Sequence, residues 1–193
     1  MEFKDILRKA YQGDFSTIPE RLLCLDPGHT TGWCLFVKGN LERWGQCETV
    51  AKKGKELVLQ WDELEDLFCT QRPTHVVCEN YRIYAHKLER HSFSQVETLR
   101  LIGGIDMMCH RGWCSKGPED YESWDNPHMP RDPLEFEEYF QPIPIAYQMA
   151  TDHKGFVSDD KLKRFGLYKE GMRHSRDAIR AGIYYLLITN KKK

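Results

Sequence analysis

The sequence lacks any apolar run approaching the ~18 consecutive residues that span a bilayer, so no membrane helix is expected. An apolar leader is missing as well: Met1-Glu2-Phe3-Lys4-Asp5 brings acids in early, unlike a secretory signal. A cytosolic protein is the expectation. The seven cysteines include no Cys-x-x-Cys pair and are odd in number, which disfavours a disulfide framework. Cys109-His110, with Cys114 and the distant His128, makes a poor zinc motif. Cys24, Cys34 and Cys78 fall inside apolar runs, where a reduced thiol behaves as a small hydrophobe. Charge of one sign is absent too, the net being −1, so overall charge does not announce a polyanion binder.

What the chain does have is local. Basic residues cluster at Arg82, His86, Lys87, Arg90 and His91, at Lys161, Lys163 and Arg164, and from Lys169 through Arg180. Local stripes of this kind serve a nucleic acid better than a bulk excess does. A length of 193 residues with 40% hydrophobic content suits one domain with an extension or an insert. Residues 1–20 read as an N-terminal helical extension, in which Phe3, Ile6, Leu7, Ala10 and Tyr11 have helical spacing. That stripe can pack on the domain or form an interface. Residues 21–190 read as the main domain, with an inserted loop at 113–142 that is rich in proline, acids and aromatics and has no steady period.

Within that domain, Arg21 to Asp26 reads as an apolar strand ending in an acid, and Pro27-Gly28 opens a turn. Trp33 to Val37 and Leu41 to Cys47 read as two further strands around Lys38-Gly39-Asn40, giving an antiparallel meander. A helix over 53–70 carries Leu57, Trp61, Leu64 and Phe68 on one stripe. Thr74 to Glu79 is a buried strand that again ends in an acid. Ser94 to Cys109 reads as a helix with Val96, Leu99, Ile102 and Ile105 on one side, and Gly103-Gly104 allows a close neighbour. Ile143, Ile145 and Tyr147 alternate as a fifth strand, Ser158 caps a short helix, and 174–188 forms the last helix. A meander followed by strand–helix alternation implies a mixed sheet with helices on its faces.

Two strands of that sheet stop at carboxylates. Ligands of open α/β sheets gather beyond the carboxyl ends of strands at a change of strand order, which would place Asp26 and Glu79 at one small volume. Like charges that close require a cation or a proton between them, and oxygen-only donors suit Mg²⁺ or Mn²⁺. His174 and Asp177 lie three apart and share a helix face, so they can join the pair. Three carboxylates and a histidine are the donor set of a two-metal phosphodiesterase.

The ordered motifs carry a resemblance. Leu25-Asp26-Pro27-Gly28-His29-Thr30-Thr31-Gly32-Trp33, Val76-Val77-Cys78-Glu79-Asn80 and His174-Ser175-Arg176-Asp177-Ala178 resemble the three acidic motifs of the RuvC-like Holliday-junction resolvases. Glu97 to Gly103 and Gln148 to Lys154 look like connecting segments of phage-borne members. The resemblance spans about residues 21–188. It implies an RNase H-like fold, a five-stranded mixed sheet flanked by helices, and a homodimer that nicks two opposed strands of a four-way DNA junction. It assigns metal binding to Asp26, Glu79 and Asp177, with Mg²⁺ or Mn²⁺ and two ions per site, and gives His174 metal ligation or orientation of water. An aromatic wedge is implied at Tyr81 or Tyr84, with Arg82 at the closest spacing. Lys87, Lys154, Lys161 and Arg164 are the further candidate DNA contacts. Two rival readings are a DNA-binding or assembly protein without activity, and a phosphotransferase of the actin and sugar-kinase type, since Asp26-x-Gly28-x-Thr30-Thr31-Gly32 also resembles a phosphate-holding hairpin. The second needs another Gly/Thr-rich loop that this sequence does not show.

Overall fold

A computed structural model describes residues 2–48, 56–81, 93–114 and 140–189. Helix α1 (Phe3–Ala10) precedes strands β1 (Arg21–Asp26), β2 (Thr30–Val37) and β3 (Asn40–Glu48), then helix α2 (Glu56–Gln71), β4 (His75–Asn80) and α3 (Phe93–Arg111). Two short strands, β5 (Trp113–Cys114) and β6 (Phe140–Gln141), pair with each other. Strand β7 (Ile145–Met149) leads into α4 (Ala150–Phe156), α5 (Asp159–Arg164) and α6 (Arg173–Tyr184), which ends in a π-helical turn at Tyr185–Thr189. No helix of the described residues is long and apolar enough to cross a membrane.

Among the described residues the main sheet has five strands in the order β3-β2-β1-β4-β7. The β1–β2 and β2–β3 pairs are antiparallel, while β4 runs parallel to both β1 and β7. This is the expected meander joined to parallel strands, an RNase H-like arrangement. Strand β1 is apolar from Leu22 to Leu25 because both its faces are covered there. Leu22 and Cys24 enter a core under α6 and α1, while Leu23 and Leu25 enter a second core under α2 and α3. Alternation along the strand therefore sends Asp26 to the α6 face.

Helix α1 packs on the domain: Phe3 and Leu7 are buried in the first core, and the Tyr11 hydroxyl donates to the Leu186 carbonyl at 2.5 Å. The thiols are structural. Cys24 and Cys34 face each other across β1 and β2 and are free and buried. Burial pushes the Cys34 thiol well up and that of Cys109 up to about 12.

The structure refines several expectations. The inserted segment 113–142 has a paired base, where β5 meets β6; its residues 115–139 lie outside the described ones. Residues 150–156 form a helix that the sequence reading passed over. The last helix gives way to a π turn after Tyr184. In α3 the buried side chains are Leu101, Ile105 and Cys109; of the expected stripe Ile105 is among them, Ile102 is only partly buried, and the side chain of Val96 lies outside the described ones. A Cβ on Gly104 would lie 1.2 Å from the Trp61 ring, whereas one on Gly103 would meet nothing within 4 Å.

That contrast sets a test. Gly104→Ala forces Trp61 out of its seat and should destabilise by about 1–3 kcal/mol. Gly103→Ala should instead stabilise by about 0.5–1 kcal/mol through helix propensity. Urea unfolding of the two variants reads both signs, and equal effects would show that Trp61 does not pack there.

Candidate active site

The carboxyl ends of β1 and β4 lie side by side because the two strands pair in parallel, with Leu25 opposite Cys78. Asp26 and Glu79 thus emerge at one edge of the sheet, each on the α6 face by strand alternation. Helix α6 brings the remaining groups. Its first turn is tied to β3, where the His174 amide donates to Gln46 Oε1 at 3.1 Å and Ser175 Oγ donates to the Gly45 carbonyl at 2.5 Å. The approach is closer than any side chain on Gly32 would permit: a Cβ there would sit 2.1 Å from the backbone carbon of His174. Glycine in the Thr31-Gly32-Trp33 segment is therefore the seat of the helix.

On that seat His174 and Asp177 both face the sheet edge. His174 Nδ1 lies 3.1 Å from Asp26 Oδ2. Lys154 of α4 bridges the other two acids, 3.2 Å from Asp177 Oδ2 and 3.5 Å from Glu79 Oε2. His153 is fully buried, with Nε2 3.0 Å from Glu79 Oε2. Arg180 donates to Asp177 Oδ1 and to Asp159 Oδ1, and its Nε donates to the Val157 carbonyl at 2.9 Å. Each carboxylate thus meets at least one cationic or ring-nitrogen partner.

The electrostatics follow from this crowding. Burial pushes the Asp26 carboxyl above its ordinary value; the His174 bond and the Lys154 ammonium pull against that, while Glu79 and Asp177 reinforce it. The hydrogen bond to Asp26 raises the His174 imidazole, against the opposing effect of its partial burial. Burial alone would lower Lys154, but Glu79, Asp177 and Asp26 outweigh it and its ammonium ends up raised. Among the described residues no three histidine, cysteine or acidic side chains stand together at cation-ligating spacing. Between Glu79 and Asp177 the positive charge is that of Lys154.

The structure thus brings together Asp26, Glu79, His174 and Asp177. Lys154, expected as a phosphate contact, lies between two of these acids. Lys161 donates to the Phe156 carbonyl and lies 4.9 Å over the Phe156 ring, and Arg164 is exposed at the end of α5. Tyr81 follows β4 and is half-buried. Arg82, Tyr84 and Lys87 lie outside the described residues. His153 and Arg180 were missed. Ala150, His153 and Val157 fall at helical spacing, and Asp152 accepts the Met149 amide at 3.1 Å. Gly155 obscures that signal in so short a helix.

No family model and no curated protein sequence matches this chain. Solved structures do. RuvC of Thermus thermophilus in complex with a Holliday junction substrate superposes with a TM-score of 0.58 at 11% identity, covering 88% of this chain and 94% of that one. Another T. thermophilus RuvC structure gives 0.55 at 12% identity, over 89% and 96%. The yeast mitochondrial Holliday junction resolvase Ydc2 gives 0.46 at 11% identity, over 97% and 88%. The chain has the RuvC-like, RNase H-like fold.

Gly32→Ala should destabilise the protein by about 1–3 kcal/mol, since the obstructing atoms are helix backbone and cannot rotate away. Thermal unfolding measures it. A melting temperature equal to the parent's would mean that α6 does not rest on β2 at this point.

Proposed function

We propose that this chain is a divalent-metal-dependent endonuclease that cleaves branched DNA, resolving four-way junctions by paired nicks from two copies of the chain. The observation that carries the reading is the convergence of Asp26, Glu79 and Asp177, drawn from two strand ends and one helix, with His174 and Lys154 among them. Like charges held this close call for a positive group among them, a place that Lys154 fills in part. The relatedness of fold to RuvC, described as bound to a Holliday junction substrate, supports the choice of substrate.

The donor types suit a hard cation, while their spacing here is set by Lys154: among the described residues no three such side chains stand at ligating spacing. Three carboxylates offer oxygen ligands alone, and the position between Glu79 and Asp177 already holds a positive group in the Lys154 ammonium. Asp26, Glu79 and Asp177 would hold Mg²⁺ or Mn²⁺, two per site in this reading. Bound there, the ions would supply an activated water and charge stabilisation at the leaving oxygen. The remaining work falls to this chain's side chains. His174, anchored through Nδ1 on Asp26, has Nε2 left to exchange a proton with water or substrate. Lys154 keeps its charge and can neutralise a phosphate oxygen once the acids have another counter-charge. His153 keeps Glu79 from turning away, and Arg180 fixes one oxygen of Asp177 so that the other faces inward. These last two are positioning residues.

A labelled four-way junction, incubated with Mg²⁺ or Mn²⁺ and then with excess chelator, tests this. Cleavage should require the cation. Asp26→Asn should reduce it by more than ~100-fold, beyond the 10–100-fold typical of losing an outer-sphere partner, while junction binding persists. Binding without cleavage in both proteins would make the chain a junction-binding protein instead.

A further inference from the structure

Beside the carboxylate cluster, helices α4, α5 and α6 border an open cavity of about 310 Å³ that Asp177 lines but Asp26 and Glu79 do not. Its wall carries four cations, Lys154, Arg173, Arg176 and Arg180, against two acids, Asp159 and Asp177. Arg180 is fully committed, with both acids and the Val157 carbonyl as its partners. The other arginines are not. Arg176 donates through one terminal nitrogen to the Lys169 carbonyl at 2.8 Å and stacks 4.9 Å from the Tyr168 ring, which holds its plane in place. Its Nε is shielded from solvent yet makes no hydrogen bond, the nearest Asp159 oxygen being 3.9 Å away. Arg173 is exposed on the rim. With Arg180 on both acids and Lys154 on Asp177 and Glu79, the positive charge left over in the cavity is that of Arg173 and Arg176.

We propose that this cavity is a phosphate-holding subsite in which Arg173 and Arg176 take the backbone phosphate next to the one being cut. The proposal rests on the nuclease reading above. A guanidinium whose plane is fixed and whose Nε makes no hydrogen bond suits a tetrahedral oxyanion with several acceptors. A strand whose reacting phosphate lies at Asp177 necessarily carries a neighbouring phosphate close by, and this cavity shares Asp177 with the cluster. The subsite would set the strand's register at the carboxylates, as phosphate contacts do, without reading sequence.

The test is the salt dependence of junction affinity, with cleavage blocked by Asp26→Asn. Arg173→Ala and Arg176→Ala should each weaken binding and lower the slope of log K against log salt by about 0.9, the value of one phosphate contact. Arg176→Lys should restore the slope. A junction carrying a single methylphosphonate beside the cut should bind parent and alanine variants alike. Arg173 is exposed, so its variant reports even if Arg176→Ala folds poorly. Unchanged slopes in both alanine variants overturn the subsite. If the parent binds no branched DNA, the nuclease reading fails separately, and line broadening of inorganic phosphate in ³¹P spectra decides the cavity. Broadening lost in Arg173→Ala and Arg176→Ala retains an anion subsite; no broadening by the parent removes it.

Discussion

The structure around the sheet edge depends on keeping negative charges together that would otherwise repel. Asp26, Glu79 and Asp177 are all largely shielded from water, and Asp26 is pushed towards its neutral form by that shielding. Removing an ion's hydration is costly unless partners replace it. Here the replacements come from separate elements: His174 for Asp26, Lys154 and His153 for Glu79, and Lys154 and Arg180 for Asp177. The compensating groups reside on α4 and α6, so folding of those helices and assembly of the acids are one event. The same arrangement gives the site its chemical character, because positive groups positioned to balance three acids are also positioned to meet a phosphodiester.

Close packing makes that balance possible. Helix α6 lies against β1 and β2 on small residues, with Ala178, Ala181 and Gly182 all buried. A Cβ on Gly182 would come within 2.4 Å of the Phe36 ring. At its other end the helix rests on Gly32. Two glycines on opposite partners therefore set the height of the helix above the sheet, and that height brings the His174 ring and the Asp177 carboxylate to the level of Asp26.

Much of this was legible from residues alone. Strand β1 shows as an apolar run because both faces are buried, and the acids at the ends of β1 and β4 stand out because nothing apolar follows them. The His174 and Asp177 pair was readable because three-residue spacing fixes a shared face wherever a helix forms. What escaped depends on distant partners. Lys154 and His153 carry no local mark of their roles, since Glu79 is more than seventy residues away in the chain. Strands β5 and β6, two residues each, are too short for a period to register. In α3 the Gly103-Gly104 pair signalled a close neighbour, but not that Gly104 alone would take it or that Trp61 would be that neighbour. The resemblance of motifs supplied order to the acids, but the local physics of each motif would have been weak alone.

The little ribbon formed by Trp113 with Gln141 and Cys114 with Phe140 has a consequence for how the chain returns to the sheet. The chain departs from α3 and re-enters towards β7 at a single clamped point, anchored further by the Ile143 amide on the Cys109 carbonyl at 2.8 Å. Closing a loop at such a point costs entropy that grows only as the logarithm of its length. The clamp works as a graft junction: it fixes where the chain turns back, so that β7 enters the sheet beside β4 from a set starting point.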